Sequence, residues 1–143
     1  MADDEIKVEL DAWEALRDEA TAIRYAVFVE EQLVPDELEL DEFDPLSVHA
    51  IARDATGRAI GTGRLLPDGH IGRMAVLPEA RGRGVGSALL IALMDESRRR
   101  GNREAVLNAQ TQAMRFYELH GYKADGKEYD DAGIAHIAMR RPL

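Results

Sequence analysis

The sequence predicts an α/β domain in which helices flank a mixed, mostly antiparallel twisted sheet. Length is the first reason, because 143 residues, 45% of them hydrophobic, match one domain with its own core. The second is an order of apolar patterns typical of helix, three strands, helix, strand, helix and two strands. The third is a glycine-rich turn between a strand and a helix, at residues 81 to 87. We therefore expect a single domain over residues 1–143.

The first part of the chain predicts a strand and then a long helix. Ile6 to Leu10 alternates apolar and polar residues, which favours a short strand. A helix is predicted from about Trp13 to Phe28, and the segment should stop being helical at Pro35. The apolar residues on one face of this helix are Leu16, Ala20, Ile23 and Val27.

Residues 36 to 44 carry six carboxylates within nine positions. Their mutual repulsion predicts an exposed loop. Two interpretations stay open: an ordinary solvated surface, or a rim that attracts a protonated amine. The alternating Leu38, Leu40 and Phe43 indicate that the loop is partly held against the core.

Three consecutive strands are predicted next, and they should be antiparallel neighbours because short turns containing Gly57 and Gly69 connect them. Their ranges are Ser47–Asp54, Ala59–Leu66 and His70–Leu77. The helix after the glycine turn has an apolar face of Val85, Leu89, Ala92 and Leu93 and ends at three arginines followed by Gly101.

The last third predicts a buried strand, a helix and a closing hairpin. Glu104 to Asn108 is the strand, and the helix runs to about His120 before Gly121. One stripe of that helix holds Ala113, Phe116, Tyr117 and His120. Residues 122–127 and 134–140 should pair as a hairpin around an acidic turn at residues 129–133.

Composition excludes several classes of function. With no cysteine there is no disulfide, no acyl-cysteine intermediate and no cysteine zinc site, and the four histidines lack zinc spacing. The net charge of −9 disfavours nucleic acid and anionic membranes and favours a cationic partner. The acidic N-terminus and short apolar runs predict neither a signal peptide nor a membrane span, so we expect a cytoplasmic protein. A homodimer stays open.

The turn Arg81-Gly82-Arg83-Gly84-Val85-Gly86-Ser87 is the strongest candidate binding site. Glycines let the backbone turn sharply, and the following helix offers unpaired amides and a positive dipole end to an anion such as phosphate. A Walker A loop is excluded because Gly86, and not a lysine, directly precedes Ser87. The dinucleotide fingerprint fails because Ser87 occupies the position of its last glycine. A strand-to-helix connection without a ligand is the other interpretation.

Two motifs in order resemble the GCN5-related N-acetyltransferase (GNAT) family. Arg81-x-x-Gly84-x-Gly86 is similar to the family's pyrophosphate signature. The segment from Phe116 to Tyr122, which follows Asn108, is similar to the family's later aromatic motif. Residues 24–32 with Asp41, Asp44 and His49, and residues 133–139, resemble the ElaA-like branch.

This resemblance implies the GNAT fold, acetyl-CoA as cosubstrate, no metal, and a role for specific residues. Tyr117 would protonate the leaving thiolate, as its phenol is protonated at neutral pH. Asn108 would make a polar contact near the pantetheine arm. The arm itself would pair with Met74, Ala75 and Val76, and the pyrophosphate would lie on Arg81, Gly82, Arg83, Gly84, Val85, Gly86 and Ser87.

The general base is not evident from the sequence, because the predicted strand from Ile71 to Val76 lacks the glutamate found in many family members. The candidates are Glu31, Asp41, Asp44, His49, His70 and His136. The resemblance implies transfer of an acetyl group to a primary amine, either a small molecule or a lysine or N-terminal amine of a peptide. A non-catalytic acyl-CoA-binding module and, more distantly, a nucleotide-binding regulatory domain are the alternatives.

Overall fold

The computed structural model describes residues 5–143, with Leu38 described by its backbone alone. Its strands lie in one sheet in the order β1-β2-β3-β4-β5-β8-β6, and β7 pairs with β8. The strands are β1 Lys7–Ala12, β2 Val48–Arg53, β3 Ala59–Leu65, β4 His70–Val76, β5 Glu104–Gln110, β6 Lys123–Ala124, β7 Tyr129–Asp131 and β8 Ile134–Pro142. The α-helices are α1 Trp13–Arg24, α2 Asp36–Glu39, α3 Val85–Arg99 and α4 Met114–Leu119. Within the described chain every strand pair is antiparallel except β4 with β5, which confirms the predicted fold class.

Helices cover both faces of the sheet. On β2, Ile51 packs with α1, whereas its neighbours Ala50 and Ala52 pack with α3, and successive strand residues point to opposite faces. Helix α3 lies very close to β3, because a Cβ on Gly61 would be 2.9 Å from atoms of Leu89 and Val85. The core on the α3 face therefore depends on glycine in a strand as much as on large apolar residues.

The predicted first helix changes type before its expected end. Helix α1 ends at Arg24, and Tyr25–Glu31 continues as a π-helical turn, which the periodicity did not indicate. The amide of Gln32 donates to the Val27 carbonyl at 3.0 Å, the wider i to i−5 bond of this helix type. The helical segment stops before Pro35, as predicted.

The acidic segment differs from the predicted exposed loop, because half of its carboxylates meet arginines from distant parts of the chain. Arg24 is 1% exposed and donates to Glu39 and to both carboxylate oxygens of Asp44. We call the following six residues the charge cluster: Arg24, Glu39, Asp41, Asp44, Arg64 and Arg73. A repulsion argument that counts only residues 36 to 44 cannot detect these partners.

The apolar residues of the same segment are also placed differently from the prediction. Leu40 and Phe43 are 45% and 42% exposed, so neither holds the segment against the core. The side chain of Leu38 lies outside the described part of the structure. Paired charges, rather than Leu40 or Phe43, therefore hold the segment in place.

The closing hairpin is tighter than predicted. Tyr129–Asp131 is itself a strand, so the turn shrinks to Ala132 and Gly133, whose φ angles are 54° and 79°. Two residues with positive φ suit the right-handed twist of paired strands. The predicted third helix is short, with a 3₁₀ turn at Thr111–Ala113 before α4. Among residues 5–143, no helix has both the length and the apolar character needed to cross a membrane.

Candidate active site

The sheet opens between its two parallel strands. Strand β4 pairs with β5 at His70 and Ile71, and the described chain shows no pairing between these strands beyond that point. A bulge contributes to the separation: the β3–β4 register shifts between Thr62 and Arg64, and Arg73 has a φ of 50°. Bulges bend a strand and re-aim its residues. Strand β5 therefore leaves the later main chain of β4 unpaired, and the Val76 carbonyl there accepts a bond from Arg81 at 3.0 Å.

The glycine turn lies at the end of the same strand. Within the described residues, no main-chain amide from Gly82 to Ser87 donates a hydrogen bond. The next amide, of Ala88, donates to the Gly84 carbonyl at 3.0 Å and starts the helical pattern of α3. Unpaired amides at the positive end of a 15-residue helix form an anion site.

The three glycines of the turn have two different physical reasons. Gly82 and Gly84 have φ angles of 78° and 80°, which side chains with a Cβ rarely adopt, and open space surrounds both. Gly86 instead lies inside α3, where a Cβ would be 3.3 Å from the Phe116 ring. The first two shape the turn, and the third lets α4 approach α3.

Arg81 points away from the turn's amides. Its guanidinium forms two bonds with Glu31, at 2.8 and 2.6 Å, and donates to the Val76 carbonyl at 3.0 Å. Hydrogen bonding from Arg81 holds the pKa of Glu31 below its ordinary value. The structure therefore assigns Arg81 to bracing the π-helical turn against β4, and Glu31 is a poor base. Arg83 is exposed and donates to the Glu79 carbonyl at 3.3 Å.

Tyr117 is a buried phenol beside the opening. Its ring meets Phe116 edge-on at 5.0 Å and Tyr122 at 5.8 Å, and the side chain belongs to the core on the α3 face. Burial raises the pKa of Tyr117 to about 12, so the phenol is protonated at any physiological pH. Its hydroxyl makes no hydrogen bond to another described residue, which leaves a donor available to a ligand.

Four of the predicted base candidates are placed unsuitably. Burial raises the pKa of Asp44, but Arg24 and Arg64 outweigh it and keep that pKa below normal. Burial also raises the pKa of Asp41, but Arg64 and Arg73 outweigh it and keep that pKa below normal. Both carboxylates are thus stable anions paired with arginines, so neither is suited to accept a proton. The other two unsuitable candidates are His49 and His70.

His49 is 1% exposed, bonded to the Asp44 carbonyl at 2.9 Å and packed on the Trp13 ring. Burial lowers its pKa, although the bond to Asp44 acts in the opposite direction. His70 begins β4, at the paired end, and its Nδ1 lies 3.0 Å from Asp68. The remaining candidate, His136, lies opposite Gln110 at the open end of β5.

Two side-chain pairs near the opening were not found by sequence reasoning. The Gln110 amide donates to Gln32 at 2.8 Å, linking β5 to the π-helical turn. Ser87 and His120 are bonded at 2.9 Å, linking the start of α3 to the end of α4. The two partners are 78 positions apart in the first pair and 33 in the second, so no local spacing in the sequence could have predicted either bond. Among the described residues, no three His, Cys, Asp or Glu side chains are grouped to hold a metal.

These features define a class of α/β protein in which two strands of the sheet separate beside a helix N-terminus whose unpaired amides can accept phosphate. A family model described as an acetyltransferase (GNAT) domain matches residues 12–143. The chain belongs to the GNAT family and is an acyltransferase, as the two motifs predicted.

Related proteins match this chain over nearly its whole length. YjcF of Bacillus subtilis, an uncharacterized N-acetyltransferase, is 41% identical over 132 residues, which cover 90% of this chain and 93% of the relative. A Lactobacillus plantarum structure assigned as an N-acetyltransferase is 32% identical with a TM-score of 0.89, covering 96% of this chain and 98% of its own. ElaA of Escherichia coli, 24% identical with a TM-score of 0.83, shares the fold and covers 96% and 99% of the two chains.

Proposed function

We propose that acetyl-CoA is the donor and a primary amine the acceptor, and that the amine attacks the thioester directly. The observation that carries this proposal is the separation of β4 from β5 beside the unpaired amides of residues 82 to 87. An extended arm can add to a free strand edge by main-chain hydrogen bonds while its phosphates take the amides. One continuous surface then fits the pantetheine arm and the pyrophosphate of coenzyme A.

The cofactor residues have distinct roles in this proposal. Met74, Ala75 and Val76 offer their main chain to the pantetheine amides, and the turn from Gly82 to Ser87 holds the pyrophosphate. Asn108 is exposed on β5, two residues from the end that opens, which suits a polar contact with the arm. Arg81 acts indirectly, by fixing β4 at Val76, and Arg83 adds charge near the phosphates.

The chemistry needs an attacking lone pair, donors for the oxyanion and a proton for the departing thiolate. Tyr117 supplies the proton for the thiolate, since its buried hydroxyl is protonated and makes no hydrogen bond to another described residue. A pKa of about 12 makes it a weaker acid than phenol in water. The same burial disfavours the thiolate anion, which keeps the transfer feasible.

The acceptor class follows from charge. A net charge of −9 attracts an amine in its protonated form, whether small or on a peptide. Glu39, Asp41 and Asp44 are paired with arginines in the charge cluster. The acidic residues of this segment that remain exposed and could attract an amine are Asp36, Glu37 and Glu42. Cytoplasmic location and a homodimer stay predictions.

A panel of amines with detection of free CoA thiol tests activity and acceptor class together. At least one amine should release CoA in proportion to acetylated product. A protein that acetyl-CoA stabilises thermally, but that releases no CoA with any amine, would be a binding module instead. Stabilisation by ATP or NAD and not by CoA would indicate the nucleotide-binding alternative.

Gly84→Val tests the cofactor site, with Gly57→Val as the matched control. Both glycines have a φ near +80° to +90° and no atom within 4 Å of a built Cβ, so the backbone strain should be similar. Both variants should lose comparable stability, about 1–2 kcal/mol. Only Gly84→Val should lose the thermal shift with CoA, because its side chain occupies the pyrophosphate position. Equal CoA affinity in the two folded variants would remove the turn from the site.

A further inference from the structure

His136 lies on the face of the sheet opposite Tyr117. In the β5–β8 register His136 pairs with Gln110, and directly paired residues project to the same side. The Gln110 side chain reaches Gln32 at the end of the π-helical turn, which continues α1. His136 therefore projects to the α1 face, whereas Tyr117 belongs to the core on the α3 face.

The tautomer of His136 is fixed by a main-chain group. Its Nδ1 lies 2.8 Å from the Ile134 carbonyl oxygen, which can only accept a hydrogen bond. Nδ1 must therefore carry the proton, and Nε2 of the neutral ring keeps its lone pair. The ring also stacks on Tyr129, with centroids 5.9 Å apart, so its orientation is held from a second side. Nε2 has no hydrogen-bond partner among residues 5–143.

We propose that Nε2 of His136 is the base that takes a proton from the acceptor ammonium; this rests on the proposed function. The freed lone pair forms the C–N bond, and the C–S bond breaks as the tetrahedral intermediate collapses. Tyr117 gives its proton to the thiolate and regains one from the acetylated nitrogen. His136 releases its proton to solvent, so each turnover yields CoA thiol, amide and one proton.

The surroundings of His136 favour a cationic acceptor. On this face β7 places Tyr129, which pairs with His136, and Asp131, which pairs with Ile134, whereas Asp130 pairs with Ala135 and projects to the other face. Burial and the charge of Asp131 raise the pKa of Tyr129, so its phenol stays neutral. From β5 the facing side chain is the uncharged Gln110. The negative charge of Asp131 on this face stabilises the incoming ammonium.

His136→Asn is the test, because an asparagine amide can still donate to the Ile134 carbonyl but has no basic nitrogen. With an alkylamine acceptor, kcat/KM should fall about 100-fold. With an arylamine, which is unprotonated at neutral pH, the loss should be under about threefold. The thermal shift with acetyl-CoA should persist.

His70→Asn is the control, as the same substitution at the far, paired end of β4, and its rates should match the parent's. An unchanged rate in His136→Asn would overturn the assignment, and equal losses with both amines would leave His136 a merely structural role. If the activity panel finds a parent that releases no CoA with any amine, the proposed function has failed. If the parent is active and His136→Asn equals it, this inference alone has failed.

Discussion

Arg24→Met should destabilise the protein more than any exposed substitution, since it removes the centre of the charge cluster. The Glu39 and Asp44 carboxylates that Arg24 binds are 4% and 2% exposed. Breaking a buried pair from one side costs about 3–5 kcal/mol, because the remaining charge stays buried. Asp44 keeps a bond from Arg64 at 2.8 Å, so about 4 kcal/mol is expected. At roughly 3 °C per kcal/mol, Tm should fall by about 12 °C.

Thermal unfolding at pH 7 and at lower pH checks this prediction, with Arg98→Met as control. Arg98 is an exposed partner of Asp95, and its loss should shift Tm by less than about 2 °C. In the parent, Arg24 and Arg64 hold the pKa of Asp44 below its normal value. The stabilisation that this lowered pKa represents is present above the pKa of the unfolded state and is lost as the pH falls through the pKa of the folded state. The difference between parent and Arg24→Met should therefore shrink below about pH 4. Equal Tm shifts for the two variants would refute the reasoning.

Two further predictions concern catalysis and packing. Tyr117→Phe should lower kcat about 100-fold while the acetyl-CoA thermal shift is retained, and the parent should show no loss of kcat from Tyr117 ionisation between pH 7 and 10, because its pKa is about 12. A basic limb near pH 10 that the variant lacks would contradict this. Gly61→Ala should lower stability by about 1–3 kcal/mol, because its Cβ would press on Leu89 and Val85 at 2.9 Å. Gly72→Ala is the control, since a Cβ there meets nothing within 4 Å, and equal denaturation midpoints would show that α3 yields without cost.

Sequence reasoning succeeded where the signal is local. Strands β2 to β4, the glycine turn and the end of α3 just before Gly101 each have turn or cap residues within a few positions of the feature that they set. The order of helices and strands could be predicted for the same reason, because local apolar patterns and turn residues indicate each element.

The remaining features depend on contacts between distant residues. Arg24 meets Asp44 across 20 positions and Arg64 meets Asp41 across 23, so a carboxylate count in one window predicted full exposure for side chains that are buried or half-buried. The bulge at Arg73 arises from pairing with β3, and neither strand's pattern of apolar residues reveals it. The position of His136 required the β5–β8 register. For the same reason, the sequence could list six candidate bases and rank none.

Neighbouring residues at the end of the π-helical turn bond to opposite walls of the opening: Glu31 to Arg81 beside β4, and Gln32 to Gln110 on β5. These contacts act as a spacer that sets the distance between the walls. A substitution that slides α1 along the sheet would transmit its displacement through this spacer. Cofactor affinity should therefore respond to changes in the buried face of α1, although that face touches neither substrate in the proposed arrangement.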